Sequence, residues 1–361
     1  MSRDAAAGPL SATSDPAISA DVRALITGFL VRHGLAAAGD AVRCLPLEGG
    51  VSSDIWRVDT DLGTVCVKRA LPKLRVAADW RAPTSRNAYE WAWLKFAARQ
   101  APQSVPTPLA HDPGAGLFAM AWLDPGPHPV WKRQLLDGQV EPETARAVGE
   151  ILGRIHFASA HDPALAAAFP TLANFHALRL EPYLLATATR HPDLAARLNA
   201  LVERTGSAQI ALVHGDVSPK NILAGPDGPI LLDAECAWYG DPAFDIAFCL
   251  NHLLLKALVR PERRGELLAS FEAFAQAYFT EGRFEPRAGL EGRAAALLPA
   301  LMLARVDGKS PVEYLRDETS RDTVRRFAGP RIASAPRTLG EIARDWLTAR
   351  GEPAAEPGTP R

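Results

Sequence analysis

Residues 210–246 read IALVHGDVSPKNILAGPDGPILLDAECAWYGDPAFDI, and this segment decides the fold. It begins with an apolar run, 210–213, that is short enough for a buried strand. A second apolar run, 222–224, leads into the turn sequence Gly-Pro-Asp-Gly at 225–228. Because Asp-Gly readily adopts the positive φ angles that hairpins need, the apolar run 230–232 is predicted to return as the partner strand.

The predicted hairpin brings three polar residues, Asp216, Asn221 and Asp233, to one of its ends. Two carboxylates and an amide oxygen are hard oxygen ligands, suited to Mg²⁺ and to a hydroxyl group. In kinases one Asp accepts the proton of the attacking hydroxyl, and an Asn and a second Asp hold the metal ions. Asp216 and Asn221 have the spacing of the kinase catalytic loop, and Asp233 lies where the metal-binding Asp follows it. The sequence therefore predicts a phosphoryl-transfer site; the alternative is a chance match in a polar turn.

The residue before Asp216 is Gly215, where protein kinases have Arg. With its His-Gly-Asp motif, the chain over about residues 45–260 resembles the aminoglycoside phosphotransferase and choline kinase family of small-molecule kinases. The segment DAECAWYG, which starts at Asp233, is similar to the same place in methylthioribose kinase. This resemblance implies an α+β, bilobal, protein-kinase-like fold with a small β-rich N-terminal lobe and a larger helical C-terminal lobe.

The order of the predicted elements agrees with that fold, because a strand-rich front precedes a helix-rich back without alternating βα units. The resemblance implies that ATP lies between the lobes, and that Met120 and Trp122 belong to the hinge whose backbone binds adenine. The predicted organisation is a disordered segment, an N-lobe, a C-lobe and a flexible tail, at residues 1–20, 21–123, 124–349 and 350–361.

The nucleotide phosphates are expected to meet a glycine-rich turn that contains Gly49, Gly50 and Ser52, because such a turn lets backbone N–H groups approach them closely. Lys68 follows in the third predicted strand, on the opposite face from the neighbouring valines. By resemblance Lys68 positions the phosphates and Glu90, on the next helix, pairs with it. A plain hairpin, an exposed strand lysine and a solvated helix carboxylate are the open alternatives.

Asp233 and Glu235 point to the same side if the chain continues as a strand after the hairpin. Glu235 would then bind Mg²⁺, directly or through water, or an acceptor hydroxyl; a solvated loop carboxylate is the alternative. In the helix that follows, Asp245 has a family counterpart that is expected to brace the catalytic loop. His156 is assigned no role, and residues 175–183 line a substrate cleft or form a surface loop.

The composition narrows the class of protein. The chain has 361 residues, 47% of them hydrophobic, and a formal net charge of −1. The chain has no excess of basic residues that would favour binding to nucleic acid or to an anionic membrane. No apolar run reaches the length of a membrane span. The four cysteines lack metal-ligand spacing and are predicted to be buried thiols in a reducing compartment, the cytoplasm.

The sequence therefore predicts an ATP- and Mg²⁺-dependent kinase whose partner is a small-molecule hydroxyl acceptor. The identity of that acceptor and the oligomeric state are left open. A protein kinase is disfavoured because Asp233 is followed by Ala-Glu rather than Phe-Gly. The alternative from another class is a catalytically inactive, kinase-like nucleotide-binding or scaffolding protein.

Overall fold

The computed structural model describes residues 18–47, 53–71 and 83–348. The predicted glycine-rich turn with Gly49, Gly50 and Ser52 lies outside these residues, as do most of the predicted N-terminal segment and the predicted tail. The chain divides into two compact units, Met1–Trp80 with Leu109–Trp122 and Arg81–Pro108 with Leu123–Arg361.

The first unit is built on a five-stranded sheet with the strand order β1-β2-β3-β5-β4. The pairs β1–β2, β2–β3 and β3–β5 are antiparallel. One helix precedes the sheet in the chain. The elements are α1 Ala20–Arg32, β1 Arg43–Pro46, β2 Ser53–Thr60, β3 Gly63–Ala70, β4 Pro108–Asp112 and β5 Leu117–Ala121.

The core of the first unit lies between α1 and one face of the sheet. Phe29 and Leu30 of α1 share a hydrophobic cluster with Val65 and Val67 of β3. Because strand side chains alternate between the two faces, Lys68 lies on the opposite face, as predicted. It is nevertheless only 2% exposed.

The second unit is mainly helical. Its helices are α2 Arg86–Gln100, α3 Trp131–Leu136, α4 Pro142–Ser159, α5 Pro163–Ala168, α6 Leu172–Phe175, α7 Ala186–Arg190, α8 Ala195–Ser207, α9 Ala243–Val259, α10 Arg264–Glu281, α11 Arg287–Asp307, α12 Glu318–Ala333 and α13 Leu339–Thr348. A π-helical segment, His176–Leu185, joins α6 to α7, and 3₁₀ turns occupy Pro219–Asn221 and Pro261–Arg263. The four short strands are β6 Ala211–Val213, β7 Ile222–Gly225, β8 Gly228–Leu231 and β9 Trp238–Gly240.

Helix α4 shows how the sequence produces the packing of this unit. Its apolar stripe, which includes Val148 and Leu152, is buried. Gly149 lies where a Cβ atom would come within 2.3 Å of the carbonyl oxygen of Phe274 in α10. The absence of a side chain therefore lets the backbones of α4 and α10 approach each other, and a larger residue at 149 would force them apart.

Most predicted elements are present, and several unpredicted ones are added, among them β4, α3, α5, the π-helical segment, β9 and α12. Helix α2, assigned from sequence to the N-lobe, groups by its contacts with the second unit. All four cysteines are buried free thiols, as predicted. Within the described segments, none of the helices combines the length and apolar character that a bilayer span requires.

Candidate active site

The β7–β8 hairpin has the predicted register. Ile222 pairs with Leu231, and Gly225 pairs with Gly228 across the turn. One further hydrogen bond, from Leu232 N to Asn221 O at 2.9 Å, extends the pairing beyond the strands. Asn221 and Asp233 therefore lie at the same end of the hairpin.

Asp216 joins this end through the side chain of Asn221. The amide nitrogen of Asn221 donates to the backbone oxygen of Asp216 at 3.1 Å. The same oxygen accepts from Ser218 N at 2.9 Å, which closes a tight turn. This turn belongs to residues 214–221, which we call the catalytic loop after the kinase motif that they resemble. Because its nitrogen is bonded in this way, the Asn221 amide is oriented and its Oδ1 oxygen is left to act as a ligand.

Gly215 is required by the path of the backbone. Its φ angle is +79°, a conformation that L side chains rarely adopt. A Cβ atom at this position would lie 2.6 Å from the carbonyl oxygen of Cys236. The Arg found before the catalytic Asp of protein kinases therefore does not fit here, which explains the His-Gly-Asp sequence.

The Asp216 carboxylate is held by two cations. The Arg179 guanidinium contacts Oδ2 of Asp216 at 2.7 Å, and Lys220 Nζ contacts the same oxygen at 3.3 Å. Arg179 also donates from Nε to Gly215 O at 2.6 Å and from a terminal nitrogen to Leu178 O at 2.7 Å. Buried and bonded three times, Arg179 is a rigid anchor for the catalytic loop.

Lys220 differs from Arg179 in the exposure of its side chain. Its side chain is 53% exposed, whereas that of Arg179 is 8% exposed. The nearby charge of Asp216 raises the pKa of Lys220 above its ordinary value, so Lys220 stays protonated at neutral pH. Sequence reasoning missed both cations; Arg179 was noted only as part of residues 175–183, and Lys220 precedes Asn221 in the loop itself.

Asp245 braces the catalytic loop, as predicted. Its Oδ2 and Oδ1 atoms accept from the backbone nitrogens of His214 and Gly215, both at 2.8 Å. His156, to which the sequence assigned no role, is a fully buried residue whose Nε2 lies 3.3 Å from the same Oδ2 atom. His156 Nδ1 lies 2.8 Å from the hydroxyl of Tyr278, so a buried polar chain runs from α10 to the loop.

His214 links the loop to the hairpin. Its Nδ1 accepts from Asp216 N at 3.1 Å, so the proton of the neutral ring is on Nε2, which faces Leu232 O at 3.1 Å. Burial lowers the pKa of His214 below its ordinary value, in keeping with a neutral ring. The motif histidine is therefore structural.

The strand-like continuation predicted after the hairpin is wrong. Strand β8 ends at Leu231, and Asp233 has a φ angle of +67°, in the left-handed region. The backbone then turns, with Ala237 N donating to Ala234 O at 3.0 Å. Asp233 is one of two non-glycine residues with positive φ among those described, and such strain gathers at functional sites.

Glu235 has a partner that the sequence did not reveal. Arg86, in the first turn of α2, donates from Nε to Glu235 Oε2 at 3.0 Å. Their side chains are 0% and 8% exposed, so the ion pair is buried. The pair connects residues 149 positions apart, and its geometry ties α2 to the turn that follows Asp233.

The donor atoms fit a divalent metal only in part. Within residues 18–47, 53–71 and 83–348, no three His, Cys, Asp or Glu side chains gather closely enough to hold an ion. An oriented amide oxygen and one or two carboxylates are, however, what Mg²⁺ takes from a protein when phosphates and water complete its shell. Asn221 and Asp233 suit such a site.

The other residues predicted for the nucleotide site lie in β3 and α2, and in or next to β5. Lys68 lies in β3 opposite Phe118, and Glu90 is buried in α2, one turn after Arg86. Lys68 and Glu90 belong to different compact units, and their pairing stays a prediction. Met120 lies in β5, and the ring of Trp122 receives the guanidinium of Arg57 at 5.4 Å.

Comparison with known proteins identifies the family. The sequence profile of the phosphotransferase enzyme family matches residues 43–288. A methylthioribose kinase from Pectobacterium atrosepticum is 29% identical over 282 residues, which cover 66% of this chain and 69% of that enzyme.

Two solved structures show the fold. An amicoumacin kinase in complex with AMP-PNP, Ca²⁺ and Ami superposes with a TM-score of 0.53 at 16% identity, covering 90% of this chain and 97% of that one. A choline/ethanolamine kinase family protein from Mesorhizobium loti gives 0.51 at 15% identity, covering 91% and 99%. The predicted α+β, protein-kinase-like fold is confirmed. The chain belongs to the phosphotransferase enzyme family and is an ATP-dependent small-molecule kinase that uses a divalent metal.

Proposed function

We propose that this kinase moves the γ-phosphate of ATP to a hydroxyl group of its acceptor, with Asp216 as the base and with Mg²⁺ as the metal. The observation that carries the proposal is the gathering of Asp216, Asn221 and Asp233 at one end of the β7–β8 hairpin. These are the residue types that phosphoryl transfer needs for its base and its metal ligands.

Asp216 orients and deprotonates the acceptor hydroxyl. Arg179 and Lys220 both contact Oδ2, which directs Oδ1 to the proton of the hydroxyl. Asn221 and Asp233 would hold Mg²⁺, which neutralises the phosphate oxygens when it is bound. Because the transition state is loose, positioning and charge neutralisation supply most of the rate enhancement.

The acceptor is proposed to be a small molecule with a free hydroxyl group, and methylthioribose enters the test panel because of the relative named above. The experiment is Mg²⁺-dependent ADP formation with a panel of methylthioribose, other sugars, sugar acids, sugar phosphates, aminoglycosides and amino alcohols. Acceptor-dependent ADP formation supports the proposal. ATP binding without turnover of any panel member favours the inactive, nucleotide-binding alternative.

Replacing Lys68 tests whether this side chain binds the phosphates of ATP. We expect Lys68→Ala to lower kcat/KM for ATP by roughly 10–100-fold, because a charged hydrogen bond to phosphate contributes about 1.5–3 kcal/mol. Lys68→Arg is also expected to be poor, since a planar fork does not replace a point charge. Initial rates at limiting ATP measure the effect, and wild-type kinetics in either variant would remove Lys68 from the phosphate site.

Glu235 is proposed to bind Mg²⁺ or an acceptor hydroxyl through Oε1 while Oε2 contacts Arg86. Glu235→Gln and Glu235→Ala should then lose similar activity, because both roles need the carboxylate. A metal role raises the Mg²⁺ concentration needed for half-maximal rate, whereas an acceptor role raises only the acceptor KM.

Arg86→Met is the matched control, because it removes the ion pair and keeps the carboxylate. If Arg86→Met reproduces the loss seen in Glu235→Gln, Glu235 serves only to hold α2. If Arg86→Met retains the wild-type Mg²⁺ and acceptor dependence while Glu235→Gln does not, the carboxylate has the proposed role. The cytoplasmic location and the absence of nucleic-acid partners stay predictions.

A further inference from the structure

Five cations of the second unit lie close to Asp216 or to His252 in α9. We call them the basic cluster, and they come from α3, the π-helical segment, the catalytic loop, α9 and α11: Lys132, Arg179, Lys220, Lys256 and Arg305. Arg179 and Lys220 contact Asp216 directly. The other three are not needed by the mechanism above.

Ring contacts connect Arg179 to Arg305. The Arg179 guanidinium lies 5.8 Å from the ring of Tyr183 and 5.5 Å from the ring of Phe248. Arg305 donates to the hydroxyl of Tyr183 at 3.1 Å and lies 5.5 Å from the centre of the same ring. The two guanidinium groups therefore share one aromatic neighbour, and Arg305 belongs to the surroundings of Asp216.

One face of α9 continues the cluster. Phe248, His252 and Lys256 follow at intervals of four residues and so lie along the same side of the helix. His252 Nδ1 lies 3.2 Å from the hydroxyl of Tyr314, and Lys256 Nζ lies 4.7 Å from the centre of the Tyr314 ring. Helix α3, which carries Lys132, packs against the 3₁₀ turn that carries Lys220.

The cluster contains buried donors that have no acceptor. Lys256 is 0% exposed, and in the described part of the chain its ammonium group has no hydrogen-bond partner. The Nε atom of Arg305 and the hydroxyl of Ser218 also lack a hydrogen-bond partner among the described residues. Buried donors are nearly always paired, so the fully buried ammonium group of Lys256 is the observation that points to an acceptor from outside the chain.

The carboxylates at this place do not balance the positive charge. Asp216 is shared between Arg179 and Lys220, and Glu313 pairs with Lys132. Lys256 and Arg305 therefore have no carboxylate partner among the residues described. Charges act over longer distances in a buried site than in water, so the whole cluster attracts anions.

We propose that the acceptor carries an anionic oxygen group, a carboxylate or a phosphate, which the basic cluster holds while Asp216 takes the proton from a hydroxyl of the same molecule. The side chains of Lys220 and Lys132, 53% and 30% exposed, form the accessible rim, and Lys256 and Arg305 supply the buried charge beneath it. Cationic acceptors are disfavoured at such a site. This inference rests on the proposed function, because it names the class of its acceptor.

The titration of Lys256 should make anion binding at this site depend on pH. Burial lowers the pKa of Lys256 to about 7, and the charges of Lys132 and Arg305 act in the same direction. A bound anion favours the charged ammonium, so binding at pH values above about 7 takes up a proton and weakens as the pH rises. The groups around the lysine are Lys132, Cys249, His252, Arg305, Glu313 and Tyr314.

The direct test uses malonate and inorganic phosphate as probes, with sodium chloride at matched ionic strength as the reference. Calorimetric titrations are performed at pH 7.5 and at pH values about one unit above and one unit below it. They compare the wild type, Lys256→Met and Lys95→Met. Lys95→Met is the control, because it changes an exposed lysine of α2. Met keeps the volume of Lys256 and removes a buried charge, so the variant is expected to fold. We expect Lys256→Met to bind at least one probe about tenfold more weakly and to lose proton uptake, and Lys95→Met to match the wild type.

A second measurement separates the cluster from the nucleotide site. Lys68→Met should retain probe binding, and Lys256→Met should keep the wild-type KM for ATP. Equal probe binding in the wild type and Lys256→Met, or loss in Lys68→Met instead, would overturn the inference.

The acceptor assay uses three-carbon diols that differ in their third group: an anionic carboxylate in glycerate, a neutral hydroxymethyl group in glycerol and a cationic aminomethyl group in 3-aminopropane-1,2-diol. We expect glycerate to compete best against whichever acceptor supports ADP formation, and its advantage to vanish in Lys256→Met. Preference for the amine would overturn the inference while leaving phosphoryl transfer intact. Anion binding that depends on Lys256, in a protein that transfers no phosphate, would instead contradict the proposed function.

Discussion

Replacing Asp216 with Asn is expected to lower the rate of phosphoryl transfer by about 10²–10⁴-fold and to leave the KM for ATP near the wild-type value. Asn keeps the shape of the side chain and can still accept a hydrogen bond from Arg179. It cannot take the proton of the acceptor hydroxyl, and it lacks the charge that orients Lys220. Steady-state rates at saturating ATP and acceptor measure the effect.

The control for this variant is Lys220→Met, which keeps the base and removes the exposed cation. Lys220→Met is expected to lose less rate than Asp216→Asn, because Arg179 still fixes Oδ2. If Asp216→Asn retains near-normal turnover, Asp216 has no part in the chemistry.

Asp245→Ala is expected to destabilise the fold by about 3–5 kcal/mol, the cost of removing one partner from a buried charged network. It leaves the backbone nitrogens of His214 and Gly215 without acceptors and also removes the neighbour of His156. Asp245→Asn is expected to be nearly as harmful, because its amide nitrogen would face one of the two N–H donors. Since domains are stable by about 5–15 kcal/mol in total, either change removes a large share.

Urea denaturation followed by circular dichroism measures this loss. The matched control is Asp322→Ala on α12, whose carboxylate is half-exposed and pairs with Arg325. Exposed pairs contribute about 0–1 kcal/mol, so the control should remain close to the wild type. A midpoint for Asp245→Ala that equals the control would show that the catalytic loop does not depend on this carboxylate.

The sequence predicted the parts of the site that depend on local chemistry. The Asp-Gly turn sets the hairpin, and the spacing of Asp216, Asn221 and Asp233 places them at its end. The strand alternation around Lys68 was predicted in the same way. In each case a short motif determines the backbone, and the backbone directs the side chain. The bracing role of Asp245 was instead implied by the family resemblance.

The sequence did not predict the contacts that depend on tertiary structure. Arg179 reaches Gly215 from 36 positions away, and Arg86 reaches Glu235 from 149 positions away. Nothing in the spacing of these residues marks them, because their meeting depends on how the helices pack. The left-handed backbone of Asp233 was missed for a similar reason, since the surrounding structure maintains it against local preference.

We propose that Asp216 activates a hydroxyl that receives the γ-phosphate of ATP. The most direct measurement is ³¹P NMR of the products formed from ATP, Mg²⁺ and the acceptor panel by the wild type and by Asp216→Asn. We predict one new phosphomonoester signal that grows with ADP in equal amounts in the wild type and is almost absent with Asp216→Asn. Inorganic phosphate as the only new product in the wild type, or the same phosphomonoester at the same rate in Asp216→Asn, would contradict the account.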